Sequence, residues 1–126
     1  MLFLDGGMGT QLQENGLELG GIPEMLNFTN PELITSIHRR YIDAGSDIVY
    51  TNSFGANRFK MSHTDKSVSE IIKAAIKNAK KATEGTNALV ALDIGPIGQL
   101  LEPTGSLKFE EAYDIFKEQI IAGRDD

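Results

Sequence analysis

The chain has 126 residues and a net charge of -6, from 12 basic and 18 acidic side chains. This length suits one domain, 1–126, with a hydrophobic core of its own. The acidic balance argues against a nucleic-acid partner, because phosphate binding needs a basic surface. The absence of cysteine excludes disulfides, thiol catalysis and zinc held by thiolates of these residues. Without a membrane-length apolar run or a basic leader, we expect no membrane partner and a cytoplasmic location.

The first ten residues combine a short apolar run with an acidic residue and three glycines. The uncharged run 1–4 predicts a strand buried on both faces, which would deliver Asp5 to a site. Gly6, Gly7 and Gly9 are expected to allow positive φ angles before a helix that follows them. Backbone amides beside a carboxylate suit a zwitterion such as an amino acid. The alternative is an ordinary turn between a strand and a helix.

Helix signals follow at three places in the chain. Asn30 and Pro31 predict the start of a helix that ends at Gly45, with His38 at the border of its apolar face. A capping box from Ser67 to Glu70 predicts a second helix. A last helix is expected from about residue 106, ending at a glycine. Its side chains predicted to point inward are Leu107, Phe109, Ala112, Tyr113, Phe116 and Ile120.

Two more apolar runs, 47–51 and 88–93, predict the second and third strands. Strands and helices then alternate as β-α-β-α-β-α, which predicts a parallel sheet with right-handed crossovers. Thr51, Asn52 and Phe54 follow the second strand and offer a hydroxyl, an amide and an apolar wall for a small ligand. Because open α/β sheets and (β/α)8 barrels keep their sites at the carboxyl ends of strands, we expect the site there. The alternative is that these polar residues are ordinary turn formers.

Several motifs occur in order along nearly the whole chain. They are Asp5-Gly6-Gly7-Met8-Gly9-Thr10, Asn30-Pro31-Glu32, Ala44-Gly45-Ser46-Asp47, Thr51-Asn52-Ser53-Phe54-Gly55-Ala56-Asn57 and Gly95-Pro96-Ile97-Gly98. With them the chain resembles the homocysteine S-methyltransferase family, most closely the N-terminal homocysteine-binding module of cobalamin-dependent methionine synthases. The family fold is a (β/α)8 TIM barrel. The resemblance therefore implies an incomplete barrel made of the first three β/α repeats.

The resemblance also implies roles for the residues that match the family's motifs. Asp5, with Gly6 and Gly7, would hold the amino-acid portion of homocysteine. Thr51 and Phe54 would line the same pocket, with Asn52 as a weaker candidate. In the family, a zinc ion held by three cysteines stabilises the homocysteine thiolate, which attacks an activated methyl group to form methionine. Methylcobalamin and methyltetrahydrofolate would be bound by other domains in the methionine synthase type.

We therefore expect the parent protein to be a zinc-dependent homocysteine S-methyltransferase. This chain would be an inactive N-terminal fragment with no catalytic or metal-binding residue of its own. One alternative is a relative that takes its methyl group from betaine or S-methylmethionine. Another is a stand-alone small-molecule-binding module with a flavodoxin-like arrangement. A fragment of a barrel leaves sheet edges and apolar faces exposed, so self-association is expected.

Overall fold

The computed structural model describes residues 1–124 as a mixed α/β unit with a two-stranded parallel sheet. Residues 125 and 126 of the expected domain 1–126 lie outside the described residues. The elements in chain order are α1 (Met8–Glu14), a 3-10 turn (Pro23–Met25), α2 (Leu26–Thr29), α3 (Pro31–Asp43), β1 (Ile48–Tyr50), α4 (Val68–Thr83), β2 (Leu89–Ala91) and α5 (Phe109–Arg124). No helix within residues 1–124 has both the length and the apolar character required to cross a membrane.

The sheet is smaller than the sequence predicts. Strands β1 and β2 pair in parallel with Ile48 opposite Leu89, and the first apolar run contributes only one bridge, from Leu4 to Ile48. The prediction that 1–4 is buried on both faces is wrong, because all four side chains are exposed. No element of the described residues covers them. Where three strands were expected from three β/α repeats, residues 1–124 contain a sheet of two strands, to which the first apolar run adds one isolated bridge.

Local signals place two helices correctly. Helix α3 begins after Asn30, whose side chain accepts a hydrogen bond from the Leu33 amide at 3.3 Å, and Gly45 follows its end at a φ of 111°. Helix α4 begins with the predicted capping box, in which Ser67 and Glu70 satisfy each other's backbone amides. These ends form where sequence predicts because each side chain binds the backbone of its own helix.

The opening loop differs from the prediction. Gly6, Gly7 and Gly9 have no positive φ. The reason is that α1 begins at Met8, so that Gly7 is its extended N-cap and Gly9 lies inside the helix. The close approach of a neighbouring side chain explains Gly6 instead. A Cβ there would lie 2.9 Å from the Tyr41 hydroxyl oxygen.

The core lies on one side of the sheet, where α4 packs between α3 and α5. Val49 of β1 is fully buried on this covered face. Leu4, Ile48 and Leu89 are register partners and so share the opposite face, where Leu4 is 53% and Leu89 59% exposed. His38 on α3, predicted at the border of the apolar face, is instead completely buried.

Helix α5 begins at Phe109, three residues later than expected, and continues through Gly123 to Arg124. Its buried stripe consists of Ala112, Ile115, Gln119 and Ala122. The prediction that Phe109, Tyr113 and Ile120 point inward is wrong, because all three are exposed. The helix has two apolar sides, and α4 covers only one of them.

Candidate functional site

The six residues predicted to bind substrate lie around one pocket of about 310 Å³. They are Asp5, Gly6, Gly7, Thr51, Asn52 and Phe54. The pocket is at the carboxyl ends of the parallel segments, because Asp5 directly follows the Leu4 bridge and Thr51 directly follows β1. Asp93, two residues after β2, completes the wall. The chain order of strands and helices therefore brings distant residues to one place.

Asp5 has one satisfied and one unsatisfied carboxylate oxygen. Its Oδ2 accepts a hydrogen bond from the Tyr50 amide at 3.1 Å, whereas its Oδ1 is buried and has no hydrogen-bond partner among residues 1–124. Burial raises the pKa of Asp5 above 3.8, the Tyr50 amide opposes that rise, and the negative charge of Asp93 adds to it. A buried acceptor without a donor is costly to the fold. A cationic donor in the pocket would relieve this cost and stabilise the ionised carboxylate.

Tyr41 of α3 contacts the loop that contains Gly6 and Gly7. Its hydroxyl donates a hydrogen bond to the Gly7 carbonyl oxygen at 3.0 Å. The same hydroxyl and ring lie against Gly6, where a side chain would collide with them. Gly6 is therefore required by packing, and it leaves backbone exposed at the pocket wall.

Thr51 and Asn52 make hydrogen bonds within the protein. The Thr51 hydroxyl lies 2.6 Å from the Ser53 hydroxyl and accepts from the Asp93 amide at 3.0 Å. The Asn52 amide nitrogen donates to the Pro23 carbonyl oxygen at 2.8 Å. Both residues line the pocket, yet these contacts fix the loop after β1 to its neighbours. Hydrogen bonds within the protein engage both side chains, and the roles predicted for them in substrate binding stay predictions.

Phe54 forms an apolar wall at the same pocket. Its side chain is 54% exposed, and the Lys60 ammonium lies 5.5 Å from the centre of its ring. Its carbonyl oxygen accepts a hydrogen bond from the Gly95 amide at 3.1 Å. The loop after β2 therefore holds the backbone of Phe54 in place.

Two acidic residues of the pocket were not predicted from the sequence. Glu24 and Asp93 both line it together with Asp5. Burial raises the pKa of Asp93 above 3.8, and the negative charge of Glu24 adds to that rise. Asp93 carried a signal, because it ends an apolar run just as Asp5 does. Glu24 lies in the short 3-10 turn, and only the folded chain brings it to the pocket.

The donor set of these residues does not fit the zinc ion that the family resemblance implies. Across residues 1–124, no group of three His, Cys, Asp or Glu side chains is arranged to hold a metal ion. The sequence also contains no cysteine. We therefore assign no zinc chemistry to this chain. What its pocket offers is charge complementarity to a small cationic or zwitterionic molecule, with one apolar wall.

Comparison with known proteins agrees with the motifs. A family model described as homocysteine S-methyltransferase matches residues 2–125. This chain is 51% identical over 59 residues to the methionine synthase of Mycobacterium leprae (strain TN). It is 49% identical over 59 residues to that of Mycobacterium tuberculosis (strain ATCC 25618 / H37Rv). Each of these matches covers 42% of this chain and 5% of the relative.

Among solved structures, the homocysteine methyltransferase MmuM from Escherichia coli in its metallated form matches with a TM-score of 0.84 and 26% identity. Its apo form matches with a TM-score of 0.71 and 28% identity. The metallated match covers 99% of this chain and 50% of MmuM, so the chain spans half of that structure. The resemblance read from the motifs is confirmed, and the chain belongs to the homocysteine S-methyltransferase family.

Proposed function

We propose that this chain is the homocysteine-binding part of a homocysteine S-methyltransferase that forms methionine. In that reaction the homocysteine sulfur forms a bond to a methyl carbon, and the bond between that carbon and its donor breaks. Identity near 50% to two methionine synthases favours the methionine synthase type over a relative using betaine or S-methylmethionine. Zinc, methylcobalamin and methyltetrahydrofolate would then be held by other parts of the parent protein.

The buried, unpartnered Oδ1 atom of Asp5 is the observation that carries this proposal. An ammonium group donates hydrogen bonds and carries the charge that this carboxylate needs. Gly6 and Gly7, next in the chain, present backbone to the same pocket and would face the ligand's carboxylate. Phe54 would contact the apolar carbons of the side chain. A small α-amino acid such as homocysteine has an ammonium group, a carboxylate and apolar carbons, one for each of these three parts of the pocket.

We also propose that the described fold is the first part of a (β/α)8 barrel. The segments pair in chain order, because β1 lies between the Leu4 bridge and β2. A flavodoxin-like sheet would instead place the first strand between the second and third. This order supports a barrel and argues against a stand-alone flavodoxin-like module. The uncovered apolar face of the sheet, with Leu4 and Leu89, would then face the barrel interior.

The chain by itself should not transfer methyl groups. A thiol is mostly protonated at neutral pH; a metal or a strong local positive charge favours the thiolate, whereas the acidic side chains of this pocket disfavour it. We therefore propose a substrate-binding role without a catalytic residue in this chain. Self-association through uncovered apolar faces, and a cytoplasmic location, remain predictions.

Calorimetric titration of the chain with homocysteine, methionine and inorganic phosphate tests the proposal. We expect homocysteine to bind and Asp5→Asn to weaken binding by about tenfold or more, as loss of a charge-assisted hydrogen bond predicts. Binding should also weaken as the pH falls through the raised pKa of Asp5, because protonation removes its charge. Asp43→Asn, an exposed carboxylate on α3, is the matched control. Binding of phosphate but of neither amino acid would refute the proposal.

A further inference from the structure

A buried carboxylate joins two separate parts of the pocket wall. Glu24 lies in the 3-10 turn, is only 5% exposed and lines the pocket. Its Oε1 accepts a hydrogen bond from the backbone amide of Gly55 at 2.6 Å. A short hydrogen bond to an ionised acceptor is one of the stronger polar contacts in proteins. Glu24 therefore ties its turn to the loop that follows β1.

The two segments are shaped to fit each other at this contact. A Cβ on Gly55 would lie 2.7 Å from Glu24 Oε1, so glycine at this position lets the carboxylate approach the amide. Two other hydrogen bonds join the same segments at 2.8 Å, from the Asn27 side chain to the Asn52 carbonyl and from the Asn52 side chain to the Pro23 carbonyl. Of these three links, Glu24 supplies the charged one.

Hydrogen bonds hold the backbone on both sides of the Phe54 side chain. The residue is 54% exposed, and the Lys60 ammonium lies over its ring. Glu24 holds the next amide, that of Gly55, and Gly95 donates to the Phe54 carbonyl oxygen from the opposite side. A Cβ on Gly95 would lie 2.8 Å from the Phe54 ring. Glu24 and Gly95 therefore both hold the backbone that carries the Phe54 ring.

We propose that Glu24 is a positioning residue, which holds the Gly55 amide and thereby fixes Phe54 as the apolar wall of the pocket that Asp5 also lines. The pocket would accordingly select an α-amino acid whose side chain is small and uncharged. Glu24 and Asp93 would repel an additional negative charge on that side chain. The selection rests on the proposed function, whereas the positioning of Phe54 does not.

Hydrogen exchange of the Gly55 amide, measured by NMR on the whole chain, reports the contact directly. Glu24→Ala removes the acceptor, and Glu24→Gln keeps an oxygen acceptor without the charge. Glu18→Ala, an exposed glutamate near the same turn, is the matched control. The chain contains no tryptophan, so Phe54→Trp adds a single fluorescent reporter of the wall. Each Glu24 variant is also titrated with homocysteine.

We expect Glu24→Ala to accelerate Gly55 exchange by about tenfold to a hundredfold and to weaken homocysteine binding by a similar factor. When Glu24→Ala is combined with Phe54→Trp, the tryptophan emission should shift relative to Phe54→Trp alone. Glu24→Gln should restore most of the exchange protection and of the binding, and Glu18→Ala should change neither. The rescue by glutamine separates positioning from a general effect of charge.

Three results would overturn the positioning role. The first is Gly55 exchange at the unmodified rate in Glu24→Ala. The second is a Glu24→Gln protein that loses homocysteine binding while Gly55 stays protected, because charge and not position would then matter. The third is equal acceleration throughout α3 and α4, which would mean global destabilisation. If the unmodified chain binds no homocysteine, the proposed function fails, while Gly55 exchange still decides the role of Glu24.

Discussion

His38 makes the stability of this fold sensitive to acid. Its imidazole is completely buried on α3, and neither ring nitrogen has a hydrogen-bond partner in the part of the chain that the structure describes. Burial lowers the pKa of His38 from 6.5 to about 4. The folded chain therefore keeps this ring neutral at pH values where the unfolded chain protonates it.

The size and sign of the effect follow from this difference in pKa. Between the two pKa values the unfolded state binds more protons, so the free energy of unfolding falls as the pH falls. With about 1.4 kcal/mol per pKa unit, His38 costs about 2 kcal/mol by about pH 5 and about 3 kcal/mol by about pH 4. Such a loss is a large part of the stability of a typical domain. The raised pKa values of Asp5 and Asp93 act in the opposite direction above pH 3.8.

Urea unfolding at a series of pH values, at low protein concentration, measures this contribution. His38→Leu removes the titrating ring and keeps an apolar side chain of similar size. The unmodified chain should lose about 2 kcal/mol more than His38→Leu between about pH 7 and about pH 5. His63→Leu, which changes an exposed histidine, is the matched control.

Equal pH dependence in the unmodified chain and in His38→Leu would refute this reasoning. It would mean that the folded chain protonates the buried ring as readily as the unfolded chain does, because a hydrogen-bond acceptor or a water molecule offsets its burial. Taking the difference between the two proteins cancels the shared contributions of Asp5 and Asp93, so the comparison isolates one residue.

Three other predictions concern the packing at Gly6, the cap of α4 and self-association. Gly6→Ala should lower the free energy of unfolding by about 1–3 kcal/mol, because its Cβ meets the Tyr41 ring, whereas Gly9→Ala should raise it by about 0.5–1 kcal/mol; equal effects in urea unfolding would contradict this. Ser67→Ala should cost about 1 kcal/mol through loss of the α4 N-cap, with exposed Ser106→Ala as an unchanged control. The unmodified chain should elute from size-exclusion chromatography as a dimer or larger assembly, and Tyr113→Lys with Ile120→Lys should shift it towards monomer. Leu19→Lys, on an exposed loop, should leave elution unchanged, and a monomer at every concentration in the unmodified chain would contradict the prediction.

Features that depend on neighbours in the chain could be predicted from the sequence. The N-cap of α3 at Asn30 and the capping box at Ser67 are contacts within one turn of helix, so the local sequence determines them. The alternation of strands and helices was sufficient to place Asp5, Thr51 and Phe54 around a common pocket. Chain order alone carries that information in a parallel sheet, because every strand ends at the same edge.

Features that depend on contacts between distant segments could not be predicted. Glu24 reaches the pocket because its turn binds the loop at Gly55, 31 residues away. The burial of His38 depends on the side chains around it, and a helical repeat assigned it to the border of the apolar face. The φ angles of Gly6 and Gly7 could not be predicted either. A glycine can allow a positive φ, but it can also make room for a neighbouring side chain, and at Gly6 the neighbour is Tyr41.

The failed predictions of burial support the proposed barrel. Leu4 and Leu89 on the sheet, and Phe109, Tyr113 and Ile120 on α5, have the apolar character of buried positions, yet they are exposed. Large apolar side chains gathered on one face normally mark a surface that another element covers. Both sets are exposed in residues 1–124, and the match to MmuM covers only half of the MmuM chain. In a (β/α)8 barrel, additional strands would cover the sheet face and an additional helix would cover α5, so the same pattern that predicted burial would be satisfied.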